Sequence, residues 1–137
     1  MPDRASRVFF DSNTLLYLAS DDALRATRTE ELLRQGGVVS VQVLNEIANV
    51  ARRKIRMTWE DTAALLQPLR EWLEIVPVTL DVHERGLALA QRHQLSVYDG
   101  FIVAAALTAD CSILYSEDMH SGLVIERRLT VVDPYVQ

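Results

Sequence analysis

The chain has 137 residues, a length for one domain (1–137) able to bury its own core without staples. With 49% hydrophobic and 24% charged residues, disordered and fibrous classes are excluded. A net charge of −5 argues by itself against a nucleic-acid partner. However, of the 14 basic residues only Lys54 is a lysine, and the arginines cluster at Arg52-Arg53-Lys54-Arg56 and Arg127-Arg128.

The longest apolar run, Phe101 to Leu107, is well short of the ~20 residues of a membrane span. Asp11 and Asn13 interrupt the apolar stretch that follows Arg4 and Arg7, so a signal peptide fits badly. A single cysteine, Cys111, rules out an internal disulfide and points to a reducing, cytoplasmic setting.

In chain order, Arg7 to Asp11 reads as a short buried strand ending at an aspartate. A helix through Leu15 to Ala19 follows, then one from Asp21 to Gln35 stopped by Gly36-Gly37. Val38-Val39-Ser40 is a second strand. Gln42 to Ile55 places Val43, Leu44, Ile47, Val50 and Ala51 at helical spacing. Thr58 opens a helix to about Leu73, with Asp61 as its capping partner. Ile75 to Val78 is a third strand, and Thr79 or Asp81 caps a helix ending near His93. Ser96 opens a strongly apolar helix over Phe101 to Leu107. Ser112 to Tyr115 is a fourth strand, and Leu129 to Val132 a fifth. Short apolar strands alternating with helices predict a mainly parallel sheet covered on both faces.

In such a sheet, ligands sit outside the carboxyl ends of the strands. Asp11 directly follows the first strand and Asp118 shortly follows the fourth. Glu46 lies early in the helix after the second strand, about 40° from Val50 on the flank of the apolar arc. Asp99 occupies the first turn of a helix apolar enough to be largely buried. Each acid also has an ordinary structural role open to it. Asp11 can cap a helix, Asp99 can complete a capping box with Ser96, Asp118 can start a turn and Glu46 can pair with Arg53 or Lys54. Together, four carboxylates beside buried segments repel one another unless a cation neutralises them. An oxygen-only set suits Mg²⁺ or Mn²⁺ rather than zinc.

These residues resemble a known family. Val8-Phe-Phe-Asp11-Ser-Asn13 is similar to the opening motif of PIN-domain nucleases. Ser40-Val-Gln-Val-Leu-Asn-Glu46 resembles their second acidic motif, and Ser96-Val-Tyr-Asp99-Gly-Phe-Ile-Val-Ala-Ala-Ala their third. Ile113-Leu-Tyr-Ser116-Glu-Asp118 looks like the fourth. The length resembles that of VapC-type ribonuclease toxins of toxin–antitoxin pairs. The chain departs from some relatives after the fourth aspartate, where Met119-His120-Ser121-Gly122 stands in place of a further acid and aromatic. A fifth ligand is thus unsupported and His120 has no assigned role. Asp118 rather than its neighbour Glu117 is taken as the ligand because the Ser-x-Asp pattern places it there.

The resemblance implies a three-layer α/β/α sandwich with a central four- to five-stranded, mainly parallel sheet. It implies an Mg²⁺- or Mn²⁺-dependent endoribonuclease with Asp11, Asp99 and Asp118 as principal ligands. Glu46 binds metal or orients the attacking water, and Asn13 and Ser116 support these groups by hydrogen bonds. Arg52, Arg53, Lys54 and Arg56 are expected to guide the RNA backbone. An antitoxin protein and a homodimer are the expected protein partners. Trp59, Leu66, Leu69 and Trp72 form core or, more sharply, a groove for the antitoxin peptide. Alternatives are an RNA-processing PIN nuclease that is not a toxin and a non-catalytic α/β binding module. An aspartate-nucleophile phosphatase wants an acid at position 13 and a late lysine, and a receiver domain wants that lysine too. Here position 13 is Asn13 and the only lysine is Lys54.

Overall fold

The computed structural model describes residues 7–136, so Arg4 of the leader-peptide reading lies outside the described residues. Six strands form one sheet: β1 (Val8–Phe10), β2 (Val38–Ser40), β3 (Glu74–Val76), β4 (Ile113–Tyr115), β5 (Val124–Ile125) and β6 (Leu129–Val132). Their order across the sheet is β3-β2-β1-β4-β6-β5, and only β5 runs antiparallel to its neighbour. The strands are short and rich in β-branched and aromatic residues, the composition of a sheet buried on both faces. Phe9, Phe10, Val38, Val39, Leu114, Leu129 and Val131 are all buried.

The flanking helices are α1 (Ser12–Leu15), which continues as a 3₁₀ turn (Leu16–Ala19), α2 (Ala23–Arg34), α3 (Val41–Arg53), α4 (Trp59–Trp72), α5 (Leu80–His93) and α6 (Val97–Thr108). Their starts are set by local chemistry. Asp22, Ser40, Thr58, Thr79 and Ser96 each accept a hydrogen bond from a first-turn backbone N–H. α6 is buried almost all round, from Ile102 through Leu107. It lies so close to α5 that a Cβ on Gly100 would stand 2.3 Å from the Gly86 carbonyl oxygen. Glycine at both positions is what permits this approach. Among the described residues, no helix is long and apolar enough to cross a membrane.

The sheet has one strand more than the four to five expected. β5 escapes the sequence because two residues carry no periodicity. The turn after it uses Glu126 and Arg127 in left-handed conformations (φ 53° and 58°) without the glycine that would announce it. The first helix also begins earlier than Leu15, at Ser12, because the Asp11 carboxylate caps it.

Topology fixes the site. β1 lies at the centre, between β2 and β4. The Asp11 N–H donates to the Tyr115 carbonyl (3.0 Å), extending the β1–β4 ladder to the carboxyl edge. At the other end of the sheet, the Arg7 Nε donates to the Ala109 carbonyl just past α6 (2.9 Å). Asp99 sits ten residues earlier, about 15 Å up that helix, so it arrives where β1 ends.

Candidate active site

Asp11 is 4% exposed and carries the densest hydrogen bonding of the four acids. Its Oδ1 accepts from the Ser12 backbone N–H (2.8 Å). Its Oδ2 accepts from the Ser116 hydroxyl (2.9 Å) and the Asn13 amide (3.1 Å). Burial raises its pKa from 3.8 to about 6, against the lowering effect of Ser116 and Ser12; the charges of Asp99 and Glu46 push it further up.

Glu46 reaches the same edge from the second turn of α3. One carboxylate oxygen accepts from the Ser12 hydroxyl (3.2 Å) and the other from the Gln42 amide (3.3 Å). Gln42 also donates to the Tyr98 carbonyl (3.3 Å), tying the start of α3 to the start of α6. Burial holds the Glu46 carboxyl above its ordinary range, with repulsion from Asp99 adding to it. Asp99 is raised for the same first reason, with Asp118 as the repelling neighbour, while Ser96 pulls it down. Asp118 is exposed on the turn after β4. The four acids therefore form one electrostatic chain, Asp118 to Asp99 to Glu46 and Asp11, at one edge of the sheet.

The turn carrying Asp118 is built on Ser116, which is fully buried. Its hydroxyl accepts from the backbone N–H groups of Asp118 and Met119 (both 3.3 Å) while donating to Asp11. Asn13 closes the figure: its amide oxygen accepts from the Glu117 N–H (3.0 Å), and its amide nitrogen faces Asp11 and Ser116 (3.3 Å to the latter). Among the described residues, no three His, Cys, Asp or Glu side chains already stand as a group able to hold a metal ion. The donor chemistry nonetheless fits a hard divalent cation. It is all oxygen, partly buried and self-repelling, and Asp11 is held in place by three hydrogen-bond donors.

The basic cluster divides. Arg52 is committed to structure: its Nη1 donates to the Met57 carbonyl (2.5 Å) and its guanidinium lies 3.9 Å from the centre of the Trp59 ring. Arg53, Lys54 and Arg56 are exposed, beginning about 10 Å beyond Glu46 along the helix axis. On α4 the four expected residues separate. Leu69 is buried, Leu66 packs partly buried against the core, Trp59 lies under Arg52, and Trp72, half exposed, lines a groove with Leu18, Leu33, Leu65 and Pro68. This groove, about 720 Å³, is rimmed by Glu30, Asp61 and Glu71 together with one cation, Arg34. His120 is exposed, and Cys111 is buried. Sequence reasoning missed Ser12 and Gln42. The signal for Gln42 was its place four residues before Glu46, one helical turn away.

The PIN domain family model matches residues 8–120. A toxin–antitoxin complex from Klebsiella pneumoniae is similar in fold at TM-score 0.68 and 24% identity, covering 93% of this chain and 98% of that one. VapC20 of Mycobacterium tuberculosis, described as a sarcin–ricin loop cleaving toxin, matches at TM-score 0.67 and 20% identity, over 81% of this chain and 89% of that one. DNA-bound VapBC of Salmonella typhimurium gives TM-score 0.67 and 14% identity, over 92% and 96%. No curated protein matches by sequence. The family match runs from β1 through the turn that carries Asp118, most of the chain and all of the acid cluster, and this protein belongs to the PIN-domain family.

Proposed function

We propose that the protein is an Mg²⁺- or Mn²⁺-dependent endoribonuclease and the toxin of a toxin–antitoxin pair. The observation that carries this reading is the mutual repulsion of four carboxylates gathered at the carboxyl edge of the sheet. PIN domains are in general metal-dependent nucleases. A fold that concentrates negative charge there is favoured when a cation offsets it. A bound divalent ion supplies a water of lowered pKa and neutralises charge on the phosphate being cleaved.

The chain's own groups do the rest. Asp11, Asp99 and Asp118 would hold the ion. Glu46, fixed by Ser12 and Gln42, serves as a further ligand or accepts the proton of the attacking water. Ser116 and Asn13 keep Asp11 oriented. Arg53, Lys54 and Arg56 attract the RNA backbone, while Arg52 is taken up by Met57 and Trp59 and takes no part. RNA rather than DNA follows the one structural neighbour described as a sarcin–ricin loop cleaving toxin.

The partner side of the reading rests on the groove between the Leu16–Ala19 turn, α2 and α4. Its apolar floor and acidic rim suit an amphipathic antitoxin segment bearing basic residues. The structural neighbours that are toxin–antitoxin complexes support such a partner. A homodimer, a single catalytic domain and a cytoplasmic location belong to the same reading.

Cleavage of a labelled mixed-sequence RNA tests it, with Mn²⁺, with EDTA and with the Asp99→Asn variant. Cutting that needs both metal and Asp99 is the expected result. A folded, partner-free sample that cuts nothing and gains no thermal stability from Mn²⁺ would reject the nuclease in favour of a binding module.

A further inference from the structure

Glu117 lies between Ser116 and Asp118 yet points away from the acid cluster. One carboxylate oxygen accepts a short hydrogen bond from the Tyr17 hydroxyl, and the other accepts from the Arg25 Nε at 3.3 Å. Arg25 is itself braced by Asp22 (2.9 Å), and its guanidinium stands 5.6 Å from the ring centres of both Tyr17 and Tyr135. The two tyrosine rings meet edge to face at 5.0 Å. Tyr135, near the end of the chain, donates to the Thr14 carbonyl (3.2 Å) and shares a hydrogen bond with the Thr29 hydroxyl (2.7 Å). A clamp drawn from the first turn, α2 and the C-terminal segment thus grips one carboxylate.

We infer that Glu117 is a positioning residue: its side chain, held by Tyr17 and Arg25, sets the turn from which Ser116 and Asp118 enter the active site. The assignment rests on the nuclease reading above. Its logic is in the backbone. The Glu117 N–H donates to the Asn13 side-chain oxygen (3.0 Å), which directs the Asn13 amide nitrogen at Asp11. The Asp118 N–H donates to the Ser116 hydroxyl (3.3 Å), which donates to Asp11. Anchoring the Glu117 side chain on the far side therefore fixes both neighbours of Asp11 and the base of Asp118 at once. A carboxylate in the middle of this turn that swung inward would add a fifth repelling charge; the clamp prevents that.

The reading makes Tyr17 and Glu117 one device, so a double-mutant cycle on the intact protein tests it. The variants are Tyr17→Phe, Glu117→Gln and the pair. The readouts are kcat and KM for RNA cleavage and Mn²⁺ affinity by calorimetry, with the metal alone as probe. Each single variant is expected to lower kcat about tenfold and to weaken Mn²⁺ to a similar degree as the other, with KM within about twofold. The pair should do no more than the worse single variant. If Glu117 were a metal ligand, Tyr17→Phe would free it, leaving Mn²⁺ affinity unchanged or higher, and only Glu117→Gln would weaken binding. That pattern, or effects that multiply in the pair, would overturn the assignment. Should either variant unfold at the assay temperature, Arg25→Gln reports on the same clamp from exposed α2, and wild-type kcat in it would count against the device. A wild-type protein that neither binds Mn²⁺ nor cuts RNA removes the nuclease reading itself and this assignment with it.

Discussion

The acid cluster makes the metal-free protein less stable as it ionises, and Asp11 is where the effect is largest. Its pKa stands at about 6 in the folded protein against 3.8 for an ordinary aspartate. A folded pKa above the unfolded one means that the native state binds the proton more tightly. The stabilising contribution of protonated Asp11 is therefore complete below pH ~3.8 and lost as pH rises through about 6. At about 1.4 kcal/mol per pH unit, the whole loss is about 3 kcal/mol. The perturbation is Asp11→Asn. Ser12 can still donate to the side-chain oxygen, while Ser116 and Asn13 have to reorient, which gives a cost independent of pH. The assay is urea unfolding in EDTA from pH 4 to 8 for both proteins. Subtracting the variant removes the titration of carboxylates that do not interact with Asp11. The wild-type minus variant difference should fall by about 2–3 kcal/mol across that range, with most of the change between about pH 4 and 6. A flat difference would refute the burial and repulsion argument for Asp11.

Other features give independent tests. Gly100→Ala puts a Cβ 2.3 Å from the Gly86 carbonyl and 2.9 Å from the Ala90 Cβ, backbone and core with little room to yield. It should cost at least about 1–3 kcal/mol in thermal or chemical unfolding and lower cleavage too, because Asp99 precedes it in the same turn of α6. Arg52→Ala should cost about 1–2 kcal/mol, read by urea unfolding, because it removes the hydrogen bond to Met57 and the cation over Trp59; the salt dependence of RNA binding should not change. Reversing Arg53, Lys54 and Arg56 to Glu should do the opposite, leaving stability within about 0.5 kcal/mol and flattening the salt slope by about one for each RNA phosphate left without a basic partner. Leu65→Glu adds a charge to a groove already rimmed by Glu30, Asp61 and Glu71. It should weaken a labelled antitoxin peptide by about tenfold or more in fluorescence anisotropy while RNA cleavage by the free protein is unchanged.

The strands and helices were readable because each carries a local signal. Val8-Phe9-Phe10 is apolar and short, Gln42 to Ile55 repeats at helical spacing, and Thr58, Thr79 and Ser96 sit where their side chains cap. The sharing of one edge by Asp11 and Asp118 was readable from topology, since β1 and β4 are neighbours whose carboxyl ends coincide; Glu46 and Asp99, on helices, were joined to them by the family resemblance. What lacked a signal was whatever depends on a partner far away in sequence. Arg52 looked equivalent to Arg53, but the turn to α4 brings Trp59 under its guanidinium. Glu117 looked like a rival to Asp118 until α2 and the C-terminal segment supplied Arg25 and Tyr135 around it. The strand β5 rests on pairing with β6 rather than on its own two residues.

The hydrogen bonds around Asp11 decide how the site works at neutral pH. Burial and the neighbouring charges push this carboxyl toward its protonated form, in which it is a poor ligand. The donors from Ser116 and Ser12 favour the charged form and hold the pKa at about 6. At pH 7 Asp11 is then mostly ionised, so binding a cation there displaces few protons. Below pH 6 the cation has to compete with the proton at Asp11. Mn²⁺ affinity should accordingly be nearly level above pH 7 and fall steeply below pH 6. Ser116→Ala, which removes one donor from Asp11, should move that fall toward higher pH. Calorimetric titrations at several pH values measure both. An affinity that fell no earlier in the variant than in the wild type would mean that Ser116 shapes the turn without tuning its carboxylate.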